Sequence, residues 1–182
     1  MHLNSLRDLF EHELHDLYDA EGQIIEALPK MEQAASSPEL QRAFRNHLDQ
    51  TRNQRTRLEQ VMRQVGIQPN GMRCKGMEGL IHEGQEIMKE RGNPDVVDAA
   101  LIGAAQKVEH YEMASYGCLH EWAGLLDNQK AAGLLKQILH EEKAANEKLT
   151  GLARASSNEE ALDETISDAS SEDGEKLTQA TR

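Results

Sequence analysis

The chain has 182 residues, a formal net charge of −12 and only 3% aromatic residues. That length suits one compact domain with a sizeable core, and few aromatics beside abundant Leu, Ala, Glu and Gln favour helices over sheet. The acidic balance speaks against nonspecific binding to nucleic acid, because phosphate contacts need clustered Lys and Arg.

No apolar run approaches the ~20 residues that span a membrane, and Met1–Arg7 has no signal-peptide core. Cys74 and Cys118 have no CxxC partner and make no disulfide framework. We therefore expect reduced thiols in a cytoplasmic protein. The one basic run, Arg52, Arg55, Arg57 and Arg63, has acids nearby and reads as a solvated helix face.

A first helix is predicted from about Ser5 to Met31, with Asn4 or Ser5 as its cap and Asp8 near the first turn. Its stripe is Phe10, Leu14, Leu17, Glu21, Ile24, Leu28, the alternating steps of four and three of a helix bundle. Only Glu21, at the centre, breaks the apolar rule. Pro29 is expected to bend or end this helix about a turn before Met31. After the turn Ala34–Pro38, a second helix begins with Ser37 as cap and Pro38 in its first turn. It runs to about Val65 and stops at Gly66. Its stripe is Leu40, Phe44, His47, Thr51, Gln54, Leu58, Val61, Val65. Again the middle is polar, with Gln50 close beside it.

Residues 66–94 read as a long connection with a short helix from Met77 to Glu90. Met72 and Met77 beside Cys74 are read as packing rather than a soft-metal site. A third long helix follows, from about Asp95 to Trp122. Its stripe is Ile102, Ala105, Glu109, Glu112, Tyr116, Leu119, so two carboxylates stand where Leu or Ile is expected. The last helix, Gln129 to Ala155, has the stripe Leu135, Ile138, Glu142, Ala145, Leu149, Leu152. Beyond Ala155 the periodicity fails. Residues 156–182 hold eight acids against Lys176 and Arg182, and read as a disordered acidic tail.

Two helical hairpins joined by a long crossover make an all-α, antiparallel four-helix bundle over residues 1–155. Its polar residues fall at one height. Burying bare carboxylates costs several kcal/mol unless they are paired or bind a metal. Inward carboxylates from several helices are the pattern of di-iron carboxylate proteins. Glu21, Glu109, Glu112 and Glu142 are therefore the candidate metal ligands. His47 is open between a core histidine and a ligand. Gln50 and Gln54 read as hydrogen-bond partners of ligands more than as ligands. Tyr111 and Tyr116 read mainly as packing, and His12, His15, His82 and His120 as surface residues.

The segments Leu17-Tyr-Asp-Ala-Glu-Gly-Gln-Ile24, Ala27-Leu-Pro-Lys-Met31, His47-Leu-x-x-Thr51-x-x-Gln54, Val108-Glu-His-Tyr-Glu112 and Glu141-Glu-Lys-Ala144 resemble the YciE/YciF family of bacterial ferritin-like stress proteins, over about residues 5–153. The resemblance implies a ferritin-like bundle, a homodimer and a dinuclear iron or manganese site holding Glu21, Glu109, Glu112 and Glu142. This chain departs from the family in having Gln50 for Glu and Asn146 for Asp, and neither hairpin carries Glu-x-x-His. Two functions follow as expectations. One is a metal-dependent oxidoreductase that oxidises Fe(II) with O2 or consumes peroxide. The other is a non-enzymatic stress or interaction scaffold with a degenerate site.

Overall fold

Ser5 caps the first helix by accepting from the Asp8 N–H at 3.1 Å, and α1 then runs Leu6–Ala34. The structure, a computed structural model, describes residues 3–69, 72–158 and 162. Helix α1 passes through Pro29 instead of stopping there. A proline inside a helix costs about 3 kcal/mol, but Leu28, Met31 and Ala35 are all buried on this last stretch, and their burial offsets the lost hydrogen bond.

Ser37 accepts from the N–H groups of Glu39 and Leu40, and α2 spans Pro38–Gln64. Gly66, at φ 78°, takes the left-handed conformation that closes its end. Cys74 caps α3, Lys75–Ile87. Asn93 caps α4, Pro94–Leu125, and Asn128 caps α5, Gln129–Leu152, after a turn through Asp127 at φ 57°. The helical backbone continues as a π-helical turn, Ala153–Ser157. The expected acidic tail otherwise lies outside the described residues, apart from Asn158 and Leu162.

The two short connections, 35–37 and 126–128, make antiparallel hairpins of α1 with α2 and α4 with α5. Contacts of α2 with α5 and of α1 with α4 close the ring, while α3 packs across α1 and α4. The 29 residues between α2 and α4 carry the chain back along the bundle. Asp98 marks where α4 begins: its buried carboxylate accepts from the Ser36 and Ser37 N–H groups at 2.9 and 2.7 Å. So α4 starts beside the α1–α2 turn and runs antiparallel to α1. No strand occurs among the described residues, and none of their helices is long and apolar enough to cross a membrane.

A polar anchor fixes the start of α3. Asp19 accepts from the Cys74 N–H at 2.8 Å, and Gln23 donates to the Cys74 carbonyl at 3.0 Å. Asp16 accepts from the Tyr111 hydroxyl at 2.5 Å and from the Cys74 thiol at 3.0 Å. Burial and the Asp16 carboxylate push the Cys74 thiol up to about 11, so it stays protonated at neutral pH. Cys74 is buried and Cys118 exposed, both as free thiols. Met77 is core.

Gly76 lies against the Tyr111 ring. A Cβ there would sit 2.7 Å from the ring carbon Cε2, and the ring cannot yield while its hydroxyl is held by Asp16. Gly76→Ala is therefore expected to destabilise the fold by about 1–3 kcal/mol, the usual penalty of overpacking. Urea unfolding of the two proteins checks this. An unchanged midpoint would mean that Tyr111 is not held.

Candidate metal centre

Each residue of the site is delivered by the seam-facing stripe of its helix. Glu21 comes from α1, His47, Thr51 and Gln54 from α2, Glu109, Glu112 and Tyr116 from α4, and Glu142 from α5. Their neighbours one turn away are ordinary core, such as Leu17, Ile24, Leu58, Ala105, Leu119 and Ile138. The apolar turns above and below drive these polar side chains into the interior, where Glu21, Glu109, Glu112 and Glu142 are at most 1% exposed.

His47, Glu109, Glu112 and Glu142 each offer a donor atom, and the four atoms lie within 4.8 Å of one another. Donors held at about 2.0–2.2 Å by one first-row ion lie at most roughly 4.4 Å apart. Most pairs in a four-donor shell stand only about 3.0–3.5 Å apart, so these side chains would have to turn inward to share a single ion. Glu21 lies outside this foursome. Its Oε1 accepts from the Tyr116 hydroxyl, and its charge acts on Glu112 and on His47.

The donor set fits a cation. Both oxygens of Glu112, one oxygen each of Glu21, Glu109 and Glu142, and both ring nitrogens of His47 are buried with no hydrogen-bond partner among the described residues. His47 Nε2 does lie 3.1 Å from Glu109 Oε1, at ion-pair distance but outside hydrogen-bond geometry. Buried acceptors normally find a donor, and so many left together call for a positive charge. Carboxylates with one imidazole and no thiolate suit iron or manganese better than softer ions.

Without a cation, the electrostatics are adverse. Burial first, and then the neighbouring Glu21 and Glu109, hold the Glu112 carboxyl well above its ordinary range. Burial and the charges of Glu112, Glu109 and Glu21 do the same to Glu142. Burial lifts Glu21 to about 7, against the opposing pull of the Tyr116 hydroxyl and His47. Burial disfavours the His47 imidazolium, but the adjacent Glu109 outweighs it and the pKa rises.

A pH dependence follows for metal-free protein. Glu21 titrates near 7 when folded and near 4.5 when unfolded. Between those values the native state binds more protons, so stability falls as pH rises from about 4.5 through about 7. At about 1.4 kcal/mol per pH unit for one proton, the loss over that window is a few kcal/mol and belongs to Glu21 and its neighbouring carboxyls together. Melting temperature measured from pH 5 to pH 8 in the presence of a chelator should decline, and should flatten when manganese is supplied. A chelated protein equally stable at both ends would contradict the burial of an ionisable Glu21.

Supporting side chains hold Glu142. Gln54 donates to Glu142 Oε1 and, at 3.1 Å, to Glu141 Oε2, while Arg57 Nη1 donates to Glu141 Oε1 at 2.7 Å. Gln54 thus acts through Glu142 and sits beside the donor cluster. Gln50 is half-buried and lines a cavity that His47 and Glu109 also line. Asn146 accepts from Gln106 at 3.3 Å, apart from the cluster. The Thr51 hydroxyl bonds back to the His47 carbonyl at 2.9 Å.

Sequence reading missed three things here. The hydroxyl of Tyr116 is a buried part of the site; its place one turn beyond Glu112 on the same stripe was the available signal. The basic run is not wholly solvated. Arg57 pairs with Glu141, and Arg55 lies 4.5 Å over the Tyr18 ring, because both point toward neighbouring helices. His12, His15 and His120 are half-buried, not at the surface, while His82 is exposed; His120 Nδ1 lies 3.0 Å from the Ala132 carbonyl.

A ring of four antiparallel helices with a carboxylate layer at mid-height and a helix-bearing crossover is a ferritin-like bundle. The chain belongs to the family described as "domain of unknown function (DUF892)", which matches residues 5–162. It is 46% identical to the protein YciF of Escherichia coli strain K12 over 162 residues, covering 88% of this chain and 98% of that protein. The crystal structure of YciF, described as an E. coli stress protein, superposes with a TM-score of 0.81 at 47% identity, covering 83% of this chain and 96% of that one. YcfI from Rhodopseudomonas palustris, described as a candidate structural protein, gives a TM-score of 0.79 at 42% identity, covering 81% and 94%.

Proposed function

We propose that this chain is a metal-dependent stress protein whose His47, Glu109, Glu112 and Glu142 bind iron or manganese, with the charge of Glu21 beside them. The observation that supports this most is the set of partnerless buried oxygens and nitrogens converging from three helices. A redox-active ion held there would supply one-electron chemistry toward Fe(II) with O2, or toward peroxide.

The chain's own contribution is binding, orientation and charge balance. The four glutamates neutralise the ion, and Gln54 orients Glu142. The Tyr116 hydroxyl donates to Glu21 and occupies one of its oxygens. One imidazole, with no Glu-x-x-His on either hairpin, favours a single tightly held ion over a symmetric pair.

The test is metal content after purification, followed by loading of chelator-treated protein with Fe(II) or Mn(II) and assays for Fe(II) oxidation and peroxide loss. Uptake near one ion per chain with turnover supports the reading. A protein that takes up neither metal contradicts it.

The scaffold alternative rests on Gln50 and Asn146 standing where the family has carboxylates, on the missing Glu-x-x-His, and on the description of YcfI. It predicts uptake without turnover. The homodimer belongs to the same proposal; sedimentation at micromolar concentration checks it, and a monomer would remove it.

A further inference from the structure

Next to the carboxylate layer, on the side of the α1–α2 turn, lies a cavity of about 180 Å³ lined by all five helices. Its wall is apolar and built from small residues where larger ones would fill it: Ala27, Ala43, Ala104 and Ala105 on the long helices and Gly84 on α3. Close-packed interiors rarely leave a void of this size. A comparable engineered void of about 150 Å³, lined by aliphatic and aromatic side chains, stays dry and binds benzene. The Gly84 position is open, since a Cβ there meets only the Ala104 methyl at 3.8 Å.

The polar lining residues are Gln50, half-buried on α2, and two further groups. The exposed lining residues Asn46, Ala144 and Lys148 stand on α2 and α5, which puts the mouth at that seam. The inner end is His47 and Glu109, whose buried Nδ1, Nε2 and Oε2 lack partners among the described residues. A hydroxyl group suits that end, because one oxygen both donates to a carboxylate and accepts from an imidazole N–H. A charged ligand does not suit the wall, which offers nothing to replace lost hydration.

We propose that this cavity binds a small uncharged alcohol or phenol, of about the size of a singly substituted benzene ring, with its hydroxyl against His47 and Glu109. The inference concerns the chain alone and is tested on chelator-treated protein, so it stands or falls separately from the metal reading.

The probe is 4-fluorobenzyl alcohol, followed by fluorine NMR against the full chain. A saturable shift is expected at millimolar concentration or below. Cyclohexanol should displace the probe and glycerol should not. Ala105→Phe and Gly84→Leu, from opposite walls, should each weaken binding at least tenfold while the protein still melts cooperatively; either one suffices if the other fails to fold. Absence of a saturable shift in the native chain overturns the proposal. So does displacement by glycerol as effective as by cyclohexanol, or a folded filling variant whose affinity stays within twofold.

Discussion

Replacing Glu109 and Glu112 together by leucine is expected to raise the melting temperature of the metal-free protein and abolish its metal uptake. Both carboxylates are 1% exposed, and between them three of four oxygens have no protein partner. Leucine at both positions continues the apolar stripe of Ile102, Ala105, Tyr116 and Leu119. Exchanging buried charge for packed hydrocarbon is commonly worth roughly 1–4 kcal/mol. For a domain of this size, that is several degrees in Tm. With saturating manganese the order should reverse, because binding stabilises only the native protein that has ligands. A double variant less stable than the parent in chelator would mean that the carboxylates already have adequate partners within the fold.

Asp98→Ala is expected to cost about 3 kcal/mol and lower Tm by roughly 10 °C, without affecting metal uptake. The Asp98 carboxylate is fully buried and accepts from two consecutive N–H groups, Ser36 and Ser37, just before α2 begins. Charge-assisted bonds of this kind are worth more than neutral ones, and their anion also complements the α2 dipole. Removing it leaves two half-sequestered donors unmatched, at about 1–3 kcal/mol each. Asp98→Asn retains one acceptor and should lose about half as much. Paired urea titrations separate the two variants. Equal, small losses would show that water replaces Asp98 at no cost.

The contrast between Glu109 and Asp98 explains what could be read from the sequence alone. Glu109, Glu112, Glu21 and Glu142 each interrupt a clear apolar stripe, so their burial followed from helical periodicity and their common height from the hairpin lengths. Asp98 lies one turn into α4, close to its N-terminus, where an acid is ordinary, and its partners are 61 and 62 residues away. Nothing local signals that contact. The same holds for Asp16, Tyr111 and Cys74, joined only when α3 crosses α1 and α4.

Pro29 failed as a stop signal because a local propensity was outweighed by burial of the turn that follows it. Gly66, by contrast, ended α2 as its freedom at positive φ allows. Glu21 bonds to the Tyr116 hydroxyl and stands outside the foursome, and side-chain direction at that level is not a property of spacing.

The most direct measurement is an anomalous difference map from a crystal of this protein soaked in manganese. The account predicts a strong peak bounded by His47, Glu109, Glu112 and Glu142, with the carboxylate oxygens turned toward it. Density for the metal only at the surface, with these four side chains left in their present arrangement, would contradict it.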